Sequence, residues 1–186
     1  MVNCFLFGLS SSLDTLMSQE YGAANYDSCA MYFNKTQFLN ILITVAFFPL
    51  FFFSGDVLSF LGVDPVVAQH CQNYLLIYYW ATVLWIQCNI MKLYLRVQRI
   101  VWPSLVGSLV CLVAYIVCIE TLRRLFGTSY YAIAIANTVA FLLELAFLIG
   151  AIRCGLGDPR TRRCLRKSDL SHWRDYCKIA VPAVLV

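Results

Sequence analysis

The sequence predicts an all-α fold, a polytopic transmembrane helix bundle. Of its 186 residues, 61% are hydrophobic and only 13% charged, where soluble domains carry about a quarter charged. Four apolar runs are long enough to cross about 30 Å of hydrocarbon at about 1.5 Å of rise per residue. Within those runs, polar residues recur at helical rather than strand spacing.

The elements follow in order. Met1 to about Met17 is apolar but has neither the basic n-region nor the small-residue cleavage site of a secretory signal, so it reads as the end of a helix. It runs into SSSLDTLMSQEYGAANY, Ser10 to Tyr26, where Gly8 and Ser12 form a small-xxx-small pair and Asp14 shares a face with Ser11 and Ser18. Two readings of Asp14 stay open: an anchor where a helix leaves the bilayer, or a member of a proton or cation pathway. Gly22 is expected to permit the following turn. The four complete spans are Thr36 to Phe53, Tyr74 to Met91, Val101 to Ile119 and Tyr130 to Ile152. Ser54 to Gln72 reads as an outer loop, Arg153 to Asp175 as a basic linker, and Tyr176 to Val186 as the start of another span.

Short cytoplasmic loops retain positive charge. Alternating the spans places all 14 Lys and Arg on one side except Arg123 and Arg124, which makes that side cytoplasmic, the 153–175 linker included. The chain reads as an integral, multi-pass protein of the plasma membrane or of a vacuolar or other organelle membrane.

A polar side chain facing lipid has no partner, so polar stripes must turn toward protein or water. Tyr78, Thr82, Trp85, Asn89 and Lys92 form one such stripe, and Tyr130, Asn137 and Glu144 another. Ser104, Ser108, Cys111, Tyr115 and Cys118 form a third, whose small residues suit helix packing. The stripes with bulky members suit a hydrated lining, with Glu144 the strongest candidate, because a carboxylate at mid-bilayer costs about 3 kcal/mol unless paired, protonated or wet. The nine cysteines contain no C-x-x-C pair and there are only two histidines, His70 and His172, so neither a zinc nor a redox site is expected. The two histidines fall on opposite sides, which disfavours a membrane-embedded enzyme. No cofactor is expected, and nothing points to nucleic acid.

GLSSSLDTLMSQEYGAANY, Gly8 to Tyr26, resembles the stretch joining helices two and three in the multidrug and toxic compound extrusion (MATE) family, especially its eukaryotic branch. LGVDPVVAQHCQNYL, YLRVQRIVWPSL, AIAIANTVAFLLELAFL and KIAVPAVLV continue the likeness in order and spacing over nearly the whole chain. The resemblance implies a partial first lobe over 1–152, from the end of helix two through helix six, then the 153–175 linker and the start of helix seven at 176–186. It also implies a secondary active transporter that exports organic cations or xenobiotics in exchange for protons or sodium, with the remaining helices or a second lobe as partners. Glu144, Asn137, Asn89, Tyr78, Trp85 and Asp14 are the substrate or cation pathway candidates, the ring faces of Tyr78 and Trp85 suiting flat cations.

Departures from the family pattern are specific. The family's coupling carboxylates in helices one and seven would lie before Met1 and beyond Val186, Glu144 stands where many relatives carry an uncharged polar residue, and Arg96 stands where Gln is more usual. Rival readings are a lipid-linked sugar flippase of similar architecture and a non-transporting membrane scaffold or fragment. The flippase would call for more Lys or Arg within the spans.

Overall fold

The computed structural model describes residues 14–126 and 130–161. Gly8, Ser11, Ser12, the later part of the linker with His172, and the 176–186 segment lie outside the described residues. Residues 14–22 form helix α1. It is followed by α2 (Tyr26–Phe52), a short α3 (Ser54–Phe60), α4 (Pro65–Val97), α5 (Trp102–Phe126) and α6 (Tyr130–Ala151). A π-helical turn (Ile152–Leu156) and a 3-10 turn (Pro159–Thr161) close the described chain. Four of the helices are long and apolar enough to cross a membrane.

Helices α2, α4 and α5 run past the apolar spans that announced them at one end or both, because backbone hydrogen bonds continue where side chains turn polar, while α6 matches its span to within a residue. The largest difference is at Ser54 to Gln72, expected as a loop. Asp64 caps α4 by accepting from the Val66 N–H at 2.8 Å, and Pro65 supplies the preset φ of a first helical residue. Helix α4 therefore starts nine residues before the Tyr74 expected, and α3 fills most of what remains. Gly62, at φ 87, makes the left-handed turn between the two. Asp64→Ala is expected to cost about 1 kcal/mol in thermal unfolding; an unchanged melting temperature would mean the cap holds nothing. The turn between α1 and α2 also departs from expectation: Ala24 rather than Gly22 takes the left-handed conformation, at φ 58. The Asn25 amide donates to Glu20 across that turn at 2.8 Å.

Helix α4 lies at the centre, against α2 and α3 on one side and α6 on the other, while α5 packs chiefly on α6. Helix α6 turns Ala132, Ala134, Ala136 and Ala140 inward, all buried, and these small side chains let its neighbours approach closely. On α5, a Cβ at Gly107 would stand 3.4 Å from Leu148. The core joins Met17, Cys29, Ile86, Cys88, Ile90, Leu93, Tyr94, Leu95 and Leu148. Tyr79, next to the expected Tyr78, is the residue that actually goes inside, where its hydroxyl donates to the Thr44 carbonyl at 3.1 Å. The large apolar side chains of α2 and α5, such as Ile41, Val45, Leu109 and Val113, face outward, as helices in lipid require.

Candidate functional site

Three helices bring their polar stripes together toward the end of the bundle where α4 and α6 finish and α5 begins. From α4 comes Lys92, about 8 Å from the helix end; from α5 comes Ser108, about 9 Å in; from α6 comes Glu144, about 10 Å in. Lys92 Nζ stands 2.6 Å from Glu144 Oε1. The contact is one of charge, because the approach lies outside hydrogen-bond angles and Oε1 accepts no well-directed bond among the described residues. Lys92 Nζ also donates to Ser108 Oγ at 3.0 Å, and the Cys111 thiol lies against the same carboxylate. The Glu144 side chain is 2% exposed and that of Lys92 22%, so the carboxylate sits behind the ammonium.

The other predicted residues divide. Asn137 shares the Glu144 face and is half-buried, about 10 Å nearer the start of α6. The Asn89 amide donates to the Trp85 carbonyl of its own helix at 2.9 Å, and Trp85 packs against the core. Tyr78 stacks on Tyr74, ring centroids 5.9 Å apart and planes 11° from parallel. Asp14, half-buried on α1, makes no hydrogen bond or ion pair with Lys92 or Glu144. Ser108 and Cys111, expected as packing residues, belong to the charged cluster instead. Lys92, counted with the cytoplasmic charges, lies inside α4 and takes part in it. Opposite charges at matching depth on two spans were the signal for this pairing.

A second polar network went unread in the sequence. At the end of α4, Gln98 accepts from the Asp158 N–H at 2.7 Å and donates to Thr161 Oγ1 at 3.1 Å. Thr161 also touches the Tyr94 hydroxyl at 2.6 Å and donates to the Asp158 carbonyl at 2.8 Å. Arg160 lies 5.6 Å over the ring of Tyr26. Tyr21, at the end of α1, has its phenol pushed above the usual range by burial and then by the charge of Asp158. The chain after α6, expected as a basic linker, is fastened at its start to α2 and α4. Helix α6 reaches it through Gly155, at φ 103.

At the opposite end of the bundle, where α4 and α6 begin, an apolar recess of about 480 Å³ lies among Leu58, Val67, His70, Cys71, Tyr74, Leu75 and Tyr130, away from the charged cluster. Among the described residues no group of His, Cys, Asp and Glu could hold a metal ion.

A family model described as MatE matches residues 1–119. Multidrug and toxin extrusion protein 2 of Oryctolagus cuniculus is 25% identical over 184 residues, covering 96% of this chain and 30% of that protein. Protein DETOXIFICATION 9 of Arabidopsis thaliana is 26% identical over 182 residues, covering 97% of this chain and 38% of that protein. A crystal structure of the eukaryotic MATE transporter AtDTX14 superposes with a TM-score of 0.89 at 22% identity, over 98% of this chain and 41% of that one. The chain therefore spans between 30% and 38% of the length of these curated relatives.

Proposed function

The chain belongs to the MatE family, and from that premise we propose that it forms part of a transporter that moves organic cations or other xenobiotics out across a membrane by antiport with protons or sodium. The observation that carries this reading is the Lys92–Glu144 pair, which joins the polar faces of α4, α5 and α6 inside otherwise apolar spans. Isolated charge at that depth is expensive, and proteins that keep it there use it along ion or solute paths. Glu144 lies on the pathway in this proposal, as a carboxylate that takes up a proton where protons are the coupling ion. Asn137 and Asn89 extend the polar lining outward, and Tyr78 and Trp85 offer aromatic faces to a flat cation. Asp14 keeps the lesser part, as an anchor of α1.

The protein reconstituted in liposomes together with the remaining helices of the transporter tests it, with efflux of a fluorescent organic cation followed under an imposed proton or sodium gradient. Wild type is expected to move the cation under one of the two gradients, and Glu144→Gln to slow it about tenfold, equivalent to ~1.4 kcal/mol of barrier. Equal rates for the two proteins at every external pH would remove Glu144 from the pathway. No movement under either gradient would remove the transport reading itself.

A further inference from the structure

We propose that Lys92 is a resident cation, its ammonium filling a monovalent-cation site whose walls are Glu144 on α6 and Ser108 on α5. The hydrogen-bond directions support this. Ser108 donates its own proton to the Ser104 carbonyl at 3.0 Å, so its oxygen presents a lone pair to Lys92 Nζ, also at 3.0 Å. Glu144 Oε1 completes a two-oxygen cradle at 2.6 Å. An ammonium has three N–H donors; one is directed at Ser108 Oγ, and the Glu144 carboxylate balances the charge from 2.6 Å. With Glu144 only 2% exposed, an ion from solution reaches the carboxylate only past the lysine.

The remaining neighbours leave the cradle to one small cation. Cys88, on α4 one turn before Lys92, directs its thiol to the Phe141 carbonyl at 3.5 Å. Cys111 lies against the carboxylate from α5, and no second acid joins it among the described residues. One carboxylate and one hydroxyl oxygen suit a singly charged ion. Shortening Lys92 would therefore vacate a site made for such an ion, whereas wild type would offer added sodium nothing to bind. This goes beyond the transport proposal, because it concerns what occupies the cluster and not whether solute passes.

The test compares thermal unfolding of the purified protein in sodium chloride and in choline chloride, with methylammonium chloride as a second probe. Wild type should melt at the same temperature in each. Lys92→Ala and the bulkier, uncharged Lys92→Gln should gain about 3 °C or more, saturably, in sodium or methylammonium over choline. Adding Glu144→Gln to either should abolish the gain. If Lys92→Ala does not fold, Lys92→Gln carries the comparison. A saturable sodium response in wild type equal to that of the variants would overturn the proposal. So would variants that respond to neither cation, or a response that survives Glu144→Gln. Ion binding by purified protein is read without transport, so failure of the transport assay leaves this result to stand alone.

Discussion

Glu144→Ala is expected to destabilise the purified protein by about 3 kcal/mol in chemical or thermal unfolding. The reasoning starts from what is left behind. Without the carboxylate, Lys92 keeps one partner, Ser108 Oγ at 3.0 Å, and an ammonium that was compensated at 2.6 Å becomes an unpaired charge inside the bundle. Breaking a buried pair by removing one member costs about 3–5 kcal/mol. The lower end applies because 22% of the Lys92 side chain is exposed and its flexible stem can carry the charge outward. Glu144→Gln keeps an oxygen within reach of the ammonium and should cost less. The double variant Lys92→Met with Glu144→Leu should return close to wild-type stability, because two apolar side chains of similar volume remove both charges and both desolvation penalties. A double-mutant cycle over these proteins gives the coupling directly. Glu144→Ala within about 0.5 kcal/mol of wild type would mean that water or the lysine's own movement already satisfies the ammonium, and that the pair holds the three helices together only weakly.

How far the sequence revealed this arrangement depends on the kind of information each feature needs. The four spans could be read because hydropathy is local: a run such as FLLELAFLIG has one stable home whatever surrounds it. Helix ends were harder. Ser54 to Gln72 looks like a loop by polarity, yet Asp64–Pro65 is a start signal, and its mechanism, a side-chain cap followed by a preset φ, overrides the polar residues that follow. The polar faces were legible by spacing, which is why Asn89, Asn137 and Glu144 could be singled out. Their partners were not, because spacing along one helix says nothing about which neighbour it meets. Asn89 spends its amide on its own backbone at Trp85, while Lys92 reaches across to another span. The Gln98–Thr161 contact, 63 residues apart in sequence, had no local signal at all.

That contact yields the second large effect. Gln98→Leu is expected to raise amide hydrogen exchange across residues 158–161 by about thirtyfold, equivalent to ~2 kcal/mol of lost local stability. Gln98 is 7% exposed and makes two bonds to the chain after α6, one to the Asp158 N–H at 2.7 Å and one to Thr161 Oγ1 at 3.1 Å. Since Thr161 gives its own proton to the Asp158 carbonyl, its oxygen acts as acceptor for both Gln98 and Tyr94, and the Tyr94 hydroxyl is the donor in that pair. Leucine matches glutamine closely in volume, so packing against Gly157, where a Cβ would lie 3.2 Å from Gln98 Oε1, is nearly kept while both bonds vanish. Each buried group left unpaired costs about 1–3 kcal/mol. The segment can avoid that cost only by leaving α4 for water, which is the opening that exchange detects. Amides in the middle of α6 should exchange as in wild type, which separates local release from general unfolding. Gln98→Glu divides the two bonds, because its carboxylate still accepts from Asp158 N–H but has no proton to give Thr161, and it should fall between wild type and Gln98→Leu. Unchanged exchange in Gln98→Leu would show that Tyr94 and the stacking of Arg160 on Tyr26 are enough to hold the segment in place.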